Sequence, residues 1–241
     1  MYFYTILYLM KGIFINRNEA GRQLAEKLSL YKDQNPFVIG LPRGGLAVGL
    51  PIAKSLNSLL DVVIVRKLGA PQNFELGVGA IAEDGVVFLD TDMLDDLQIS
   101  YSTLRLIEER EHQELERRKQ LYRNGDPLPL LTGKTVIIVD DGLATGVTAH
   151  AAILSVKKHH PKKIIFAAPV CSAEGLLTIR SMVHSVVYLT CPQDLHAIGD
   201  YYQNFDQVSD EEVLTLLHKS NRDSRQRQGS MEVDFNHKIV W

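Results

Sequence analysis

Short β-branched runs alternate along the chain with stretches whose apolar positions recur every three or four residues. That alternation is the pattern of strand–helix–strand units wound around a largely parallel sheet. Residues 16–30 read as an amphipathic helix with Ala20, Leu24, Ala25 and Leu28 on one face. Residues 37–41 read as a buried strand, 45–56 as the helix after it, and 61–65 as the next strand. The short apolar runs 78–82 and 86–89 predict a hairpin turning at Glu83, Asp84 and Gly85. A long charged helix is expected over 103–122, a central strand over 135–140 and a helix over 147–159. The runs KIIFAAPV and HSVVYLT supply two more strands, separated by a helix over 173–182. The expected fold is α/β, a doubly wound, mostly parallel sheet of about five strands. A small hood, built from the N-terminal segment and the residues after Thr190, is expected to cover it. The folded domain is expected over 10–218. The tail over 219–241 is polar and is expected to be loosely held.

Composition narrows the function classes. A chain of 241 residues can bury one large core. Cys171 and Cys191 are its only cysteines and no Cys/His cluster accompanies them, which predicts two buried thiols in a reduced setting without structural zinc. A net charge of -3 gives no general field for polyanions, so affinity for phosphates has to come from local loops. The apolar start MYFYTILYLMKGIFI lacks a basic flank and a small-residue cleavage site and is too short to span a bilayer. It reads as an extra strand, or as residues ahead of a start at Met10, and the protein is expected to be cytoplasmic.

Two motif-like strings are decoys. Gly133, Lys134 and Thr135 end like a P-loop, but a strand follows where a helix should. Gly77, Gly79 and Ala82 match a dinucleotide fingerprint, yet Glu83, Asp84 and Gly85 interrupt the helix that would carry a pyrophosphate. The string VIIVDDGLATGVT is different. Its strand delivers a loop of small and hydroxylated residues to the carboxyl edge of a parallel sheet, where open α/β folds bind ligands. Gly142, Ala144 and Gly146 let backbone N–H groups converge on an anion, the helix beginning near Val147 adds its positive end, and Thr145 and Thr148 add hydroxyls. A monophosphate cradle follows. Asp140 and Asp141 are adjacent, so on an extended backbone they point to opposite sides and suit sugar hydroxyls better than a shared proton.

This string resembles the 5-phosphoribosyl-1-pyrophosphate (PRPP) signature of type I phosphoribosyltransferases. The resemblance implies that Asp140 and Asp141 bind the ribose hydroxyls and that Ala144, Thr145, Gly146, Val147 and Thr148 hold the 5'-phosphate. Gly142 departs from the aliphatic or serine residue usual there. LPRGGLAVG resembles the family's pyrophosphate loop, which implies Arg43, Gly44 and Gly45 as pyrophosphate ligands and a cis peptide between Pro42 and Arg43. Arg66 and Lys67, at the end of the next strand, are implied as further pyrophosphate contacts. From about Phe14 to Leu217 the chain is similar to a bacterial subgroup of predicted phosphoribosyltransferases. A mobile lid precedes the signature in the family, which makes Arg117, Tyr122 and Arg123 lid candidates on an otherwise solvated helix. In the hood, Leu195, His196, Ile198 and Tyr201, with Tyr202 and Phe205, offer apolar and aromatic surface that either covers a planar acceptor or closes the sheet edge as a flap.

The implied reaction is transfer of the phosphoribosyl group to a nitrogen acceptor, such as a nucleobase, with release of pyrophosphate. The implied cofactor is Mg2+, held by Asp140 and Asp141 indirectly through PRPP. The expected partners are PRPP and a small acceptor, with no nucleic acid or membrane; a homodimer is compatible with this reading. The alternative is a non-catalytic PRPP sensor, which would carry a helix-turn-helix or a basic face if it acted on DNA.

Overall fold

A computed structural model of the chain describes residues 13–220. Residues 1–12, which hold most of the apolar start, and residues 221–241, which hold most of the expected loose tail, lie outside the described residues. Eight strands form two sheets among the described residues. The main sheet is five-stranded and parallel throughout, in the order β2-β1-β6-β7-β8, with β1 Pro36–Gly40, β2 Leu60–Val62, β6 Thr135–Val139, β7 Lys163–Val170 and β8 Ser185–Thr190. The smaller sheet is antiparallel, in the order β3-β4-β5, with β3 Val65–Ala70, β4 Asn73–Ala82 and β5 Val86–Leu89.

Burial on both faces explains the continuous apolar runs of the central strands. Ile137 and Val139 of β6 join a core that includes α1 Arg17–Leu28 and α2 Gly44–Ser55. Val136 and Ile138 point the other way, into a core shared with α5 Val147–Lys157 and α6 Ala173–Ile179. The short helix α3 Thr91–Asp96 leads to α4 Tyr101–Arg123, which packs on β3 and β4. A third, small core joins Phe14, Ala20, Val170 and Tyr202 and is the base of the hood.

Three expectations need correction. The strand expected over 61–65 is split: β2 ends at Val62 and β3 starts at Val65 in the other sheet. Glu83 explains the break, because its carboxylate accepts the Ile64 N–H at 2.7 Å and its own N–H donates to the Ile64 carbonyl at 3.2 Å, capping the chain where it changes sheets. The second correction concerns the end of the domain. A helix, α7, runs over 210–220, and its Ser220 is buried and accepts the Leu60 N–H through Oγ, so residues 219 and 220 are held, not loose. A capping box starts it: Ser209 Oγ accepts the Glu212 N–H and Glu212 accepts the Ser209 N–H. Third, Cys171 is buried but Cys191 is exposed.

The candidate PRPP site

Register brings two loops together. Gly40 at the end of β1 pairs with Val139 at the end of β6, so both chains leave the sheet side by side. After Gly40 the chain enters α2 through Pro42 and Arg43, and the peptide between them is cis, as the resemblance implies. Arg43 is the N-cap, and Gly44 and Gly45 are the first residues of the helix. A Cβ on Gly44 would stand 1.9 Å from Asp141 Oδ2, so only glycine at this position leaves that carboxylate where it is. The expected pyrophosphate loop and the ribose carboxylate are thus in direct contact.

The two aspartates do not diverge as strand alternation would have them. The strand stops at Val139, and Asp140 Oδ1 folds back to accept the Asp141 N–H at 2.9 Å. Burial, and then the neighbouring charge of Asp141, push the Asp140 carboxyl well above the usual carboxylate range. The two carboxyls are therefore electrostatically linked, where strand alternation would have put them on opposite sides. Tyr202 donates its hydroxyl to the Asp141 carbonyl at 2.7 Å, and burial raises its phenol so that it stays a donor.

Residues 144–148 form the loop expected for a phosphate. Leu143 N–H donates to the Val170 carbonyl at 2.8 Å, joining the loop to β7. Ser172 Oγ donates to the Ala144 carbonyl and Thr178 Oγ1 to the Thr145 carbonyl, so α6 and its N-cap hold the loop's acceptors on the outer side. Gly146 is left-handed at φ 84° and caps α5. The first bond of that helix runs from His150 N–H to the Gly146 carbonyl, which leaves the N–H groups of Val147, Thr148 and Ala149 without an intrahelical partner. Ala144 and Thr145 are exposed and Thr148 is half-buried. This is the arrangement of donors and helix end that suits a phosphate.

The basic residues are divided. Arg43 Nη1 lies 3.6 Å from Asp210 Oδ1. Arg66 and Lys67 are not at a strand end; they lie within β3, where Arg66 pairs with Glu111 at 2.6 Å and the stem of Lys67 runs along Gly77 beside Val147. Lys67 is thus near the start of α5. Of the lid candidates, Arg117 bonds Glu114 at 2.7 Å and Asp210 at 2.9 Å, Tyr122 is buried and donates to Asp210 at 2.6 Å, and Arg123 is buried in an ion pair with Glu83. Burial would raise the Asp210 carboxyl, but the bonds from Tyr122 and Arg117 outweigh it and the carboxyl is lowered. Tyr122 and Arg123 therefore fasten α4 to the body of the protein and are not in a position to swing as a lid.

The hood sits directly on the loop. Leu195, Ile198 and Tyr201 pack on the third core, while His196 is exposed and packs on none of it. A Cβ on Gly142 would lie 2.3 Å from Ile198 Cγ2. Glycine at this position, unusual for the resemblance, is what lets Ile198 come down onto the ribose loop. Two site residues escaped the sequence reading. Arg17, at the start of α1, donates from Nε to Asp141 Oδ2 at 2.7 Å. Asp210 gathers Arg43, Arg117 and Tyr122. The Ser209–Glu212 capping box was a visible signal for the helix that carries Asp210; nothing in the sequence around Arg17 singled it out.

Comparison with known proteins agrees with this geometry. Residues 13–201 match the family model described as phosphoribosyl transferase domain. Two Mycobacterium tuberculosis proteins, from strains CDC 1551 and H37Rv and each named "Putative phosphoribosyl transferase", are 41% identical over 212 residues, which is 88% of this chain and 48% of theirs. The chain thus spans about half the length of these curated relatives. The crystal structure of TT1426 from Thermus thermophilus superposes with a TM-score of 0.70 at 38% identity, covering 85% of this chain and 97% of that one. With the parallel sheet, the paired loops and a match over most of its length, the chain belongs to the type I phosphoribosyltransferase family.

Proposed function

We propose that this chain binds PRPP and transfers its 5-phosphoribosyl group to a nitrogen acceptor, releasing pyrophosphate. The observation that carries the reading is the contact between Gly44 and Asp141, which joins a pyrophosphate loop to a ribose carboxylate beside a phosphate-binding helix start. Asp140 and Asp141 take the ribose hydroxyls, the N–H groups and hydroxyls of 144–148 take the 5'-phosphate, and Arg43, Gly44 and Gly45 take the pyrophosphate. The Lys67 side chain reaches from β3 along Gly77 toward Val147 at the phosphate loop, and Arg66 is available once it exchanges Glu111 for ligand. In the reaction the bond from the anomeric carbon to the pyrophosphate oxygen breaks and a bond to the acceptor nitrogen forms. Positive charge grows on the sugar and negative charge on the leaving group, so the protein's work is positioning and charge stabilisation. The hood residues Leu195, Ile198 and Tyr201 cover the acceptor side, and a planar nucleobase suits that surface.

Mg2+ fits this site as a companion of the ligand. No cluster of three or more His, Cys, Asp or Glu side chains converges on a metal site among the described residues. Asp140 and Asp141 would hold Mg2+ indirectly, through the ribose of PRPP, with its own positions filled by water and ligand oxygens, the hard donors that suit this ion. When bound, it supplies charge neutralisation on the pyrophosphate. The two aspartates take the ribose hydroxyls. We place the protein in the cytoplasm, as an enzyme of nucleotide metabolism; no helix among the described residues is long and apolar enough to cross a membrane. Pyrophosphate release from PRPP and Mg2+ with a panel of purine and pyrimidine bases is the test. Release that depends on one base supports transfer and names the acceptor. PRPP binding without release on any amine or base supports a sensor instead.

A further inference from the structure

Arg17 stands where three parts of the site meet. Its Nε donates to Asp141 Oδ2 at 2.7 Å, its Nη1 donates to the Asp206 carbonyl at 2.8 Å, and its guanidinium lies 3.8 Å from the centroid of the Phe205 ring. Its side chain is 11% exposed. The same Nε is 2.9 Å from the point a Cβ on Gly44 would occupy, so it also faces the pyrophosphate loop. Asp206 and Phe205 fix the Nη1 side and one face of the group. The edge that carries Nε and Nη2, which is the edge that grips a phosphate with two parallel bonds, is directed to Asp141 and Gly44.

A conflict follows from the proposed function, on which this inference rests. For Asp141 to accept a ribose hydroxyl at Oδ2, the oxygen that faces Gly44, Arg17 has to release or share it. A pyrophosphate arriving at Gly44 offers the guanidinium a more highly charged partner a short distance away, while the Phe205 and Asp206 contacts keep it in place. We propose that Arg17 is a PRPP-binding residue supplied by the hood side of the molecule: it holds Asp141 in the free protein and exchanges that carboxylate for the pyrophosphate when PRPP binds. The exchange couples the two halves of the site. Occupation of the pyrophosphate loop frees Asp141 for the ribose.

Three ligands separate the roles: PRPP, inorganic pyrophosphate, and ribose 5-phosphate, which has the sugar and its phosphate but no pyrophosphate. Their affinities for the full chain are measured by calorimetry with Mg2+, for wild type, Arg17→Gln and Arg17→Lys. Arg17→Gln is expected to weaken PRPP and pyrophosphate by at least about tenfold, the weight of a hydrogen bond to a charged group. Ribose 5-phosphate is expected to bind as well as in wild type or better, because Asp141 has lost its competitor. Equal weakening of all three ligands would overturn the proposal and leave Arg17 as a support of the fold. So would unchanged affinity for PRPP and pyrophosphate. Should Arg17→Gln fail to fold, Arg17→Lys decides, since it keeps the charge and loses the fork: PRPP weakened with ribose 5-phosphate unchanged supports the exchange, and a uniform loss overturns it. Wild-type protein that binds no PRPP contradicts the proposed function itself, an outcome distinct from any of these.

Discussion

The phosphate loop and the hood share one edge of the sheet, yet they are held by different forces. Residues 143–145 are fixed by neutral hydrogen bonds from and to the next strand and helix: Leu143 to Val170, Ser172 to Ala144, Thr178 to Thr145. On the other side, Arg17 reaches Asp141 across the chain, Arg43 and Arg117 both reach Asp210, and each contact joins charges from distant segments. Neutral bonds of this kind are indifferent to salt and to pH near neutrality, whereas ion pairs open to solvent, such as that of Arg117 with Asp210, are screened and easily exchanged. On the proposed function, the loop is a preformed receptor for phosphate and the ionic side is the part able to rearrange when a charged ligand arrives.

The largest expected effect lies beneath the ionic side, at the buried pair of Glu83 and Arg123. Arg123→Ala leaves the Glu83 charge buried and should cost about 3–5 kcal/mol of stability, read as a lower urea midpoint. Glu83→Gln combined with Arg123→Met should recover much of that loss, because Nε and Nη1 of Arg123 have no hydrogen-bond partner among the described residues. A double variant as unstable as the single one would show that the pair does more than neutralise itself.

A smaller effect is expected on the neutral side. A Cβ on Gly175 would stand 2.3 Å from the Ala144 carbonyl oxygen. Gly175→Ala should cost about 1–3 kcal/mol as overpacking and should weaken ribose 5-phosphate, since the loop has to move. Pyrophosphate binding should be spared. Equal weakening of both ligands would erase the distinction between the two regions.

The smallest effect concerns acid. Glu114 is lowered to about 2, first by its hydrogen bond from Arg117, against burial, and then by Arg118. A depressed carboxylate adds stability above its ordinary range, and that stability is lost as pH falls toward about 2. Glu114→Gln should therefore lower the thermal midpoint slightly at neutral pH and flatten its decline in acid. High salt should shrink the difference. An unchanged acid profile would mean that the ion pairs of α4 contribute nothing measurable.

The same contrast explains what the sequence could reveal. The strand, small residues and helix start of the phosphate loop all lie between Thr135 and Thr148 and are read in one pass, although Val170, Ser172 and Thr178, which fix it, lie outside that string. The hood's apolar residues were also visible, and Ile198 proves to rest on Gly142. Arg17 and Asp210 were not, because their partners are set by tertiary approach and not by spacing. The split of 61–65 escaped for a similar reason: the apolar run is unbroken in sequence, and Glu83 interrupts it only in space. Alternation misled at Asp140 because it holds only while the strand continues.

The most direct measurement is calorimetry of PRPP binding to the wild-type chain and to the double variant Asp140→Asn, Asp141→Asn, with and without Mg2+. Wild type is expected to bind PRPP with Mg2+ and to bind it far more weakly without, and the folded double variant to lose the interaction. Wild-type affinity in the folded double variant would contradict the assignment of this carboxylate pair to the ribose of PRPP.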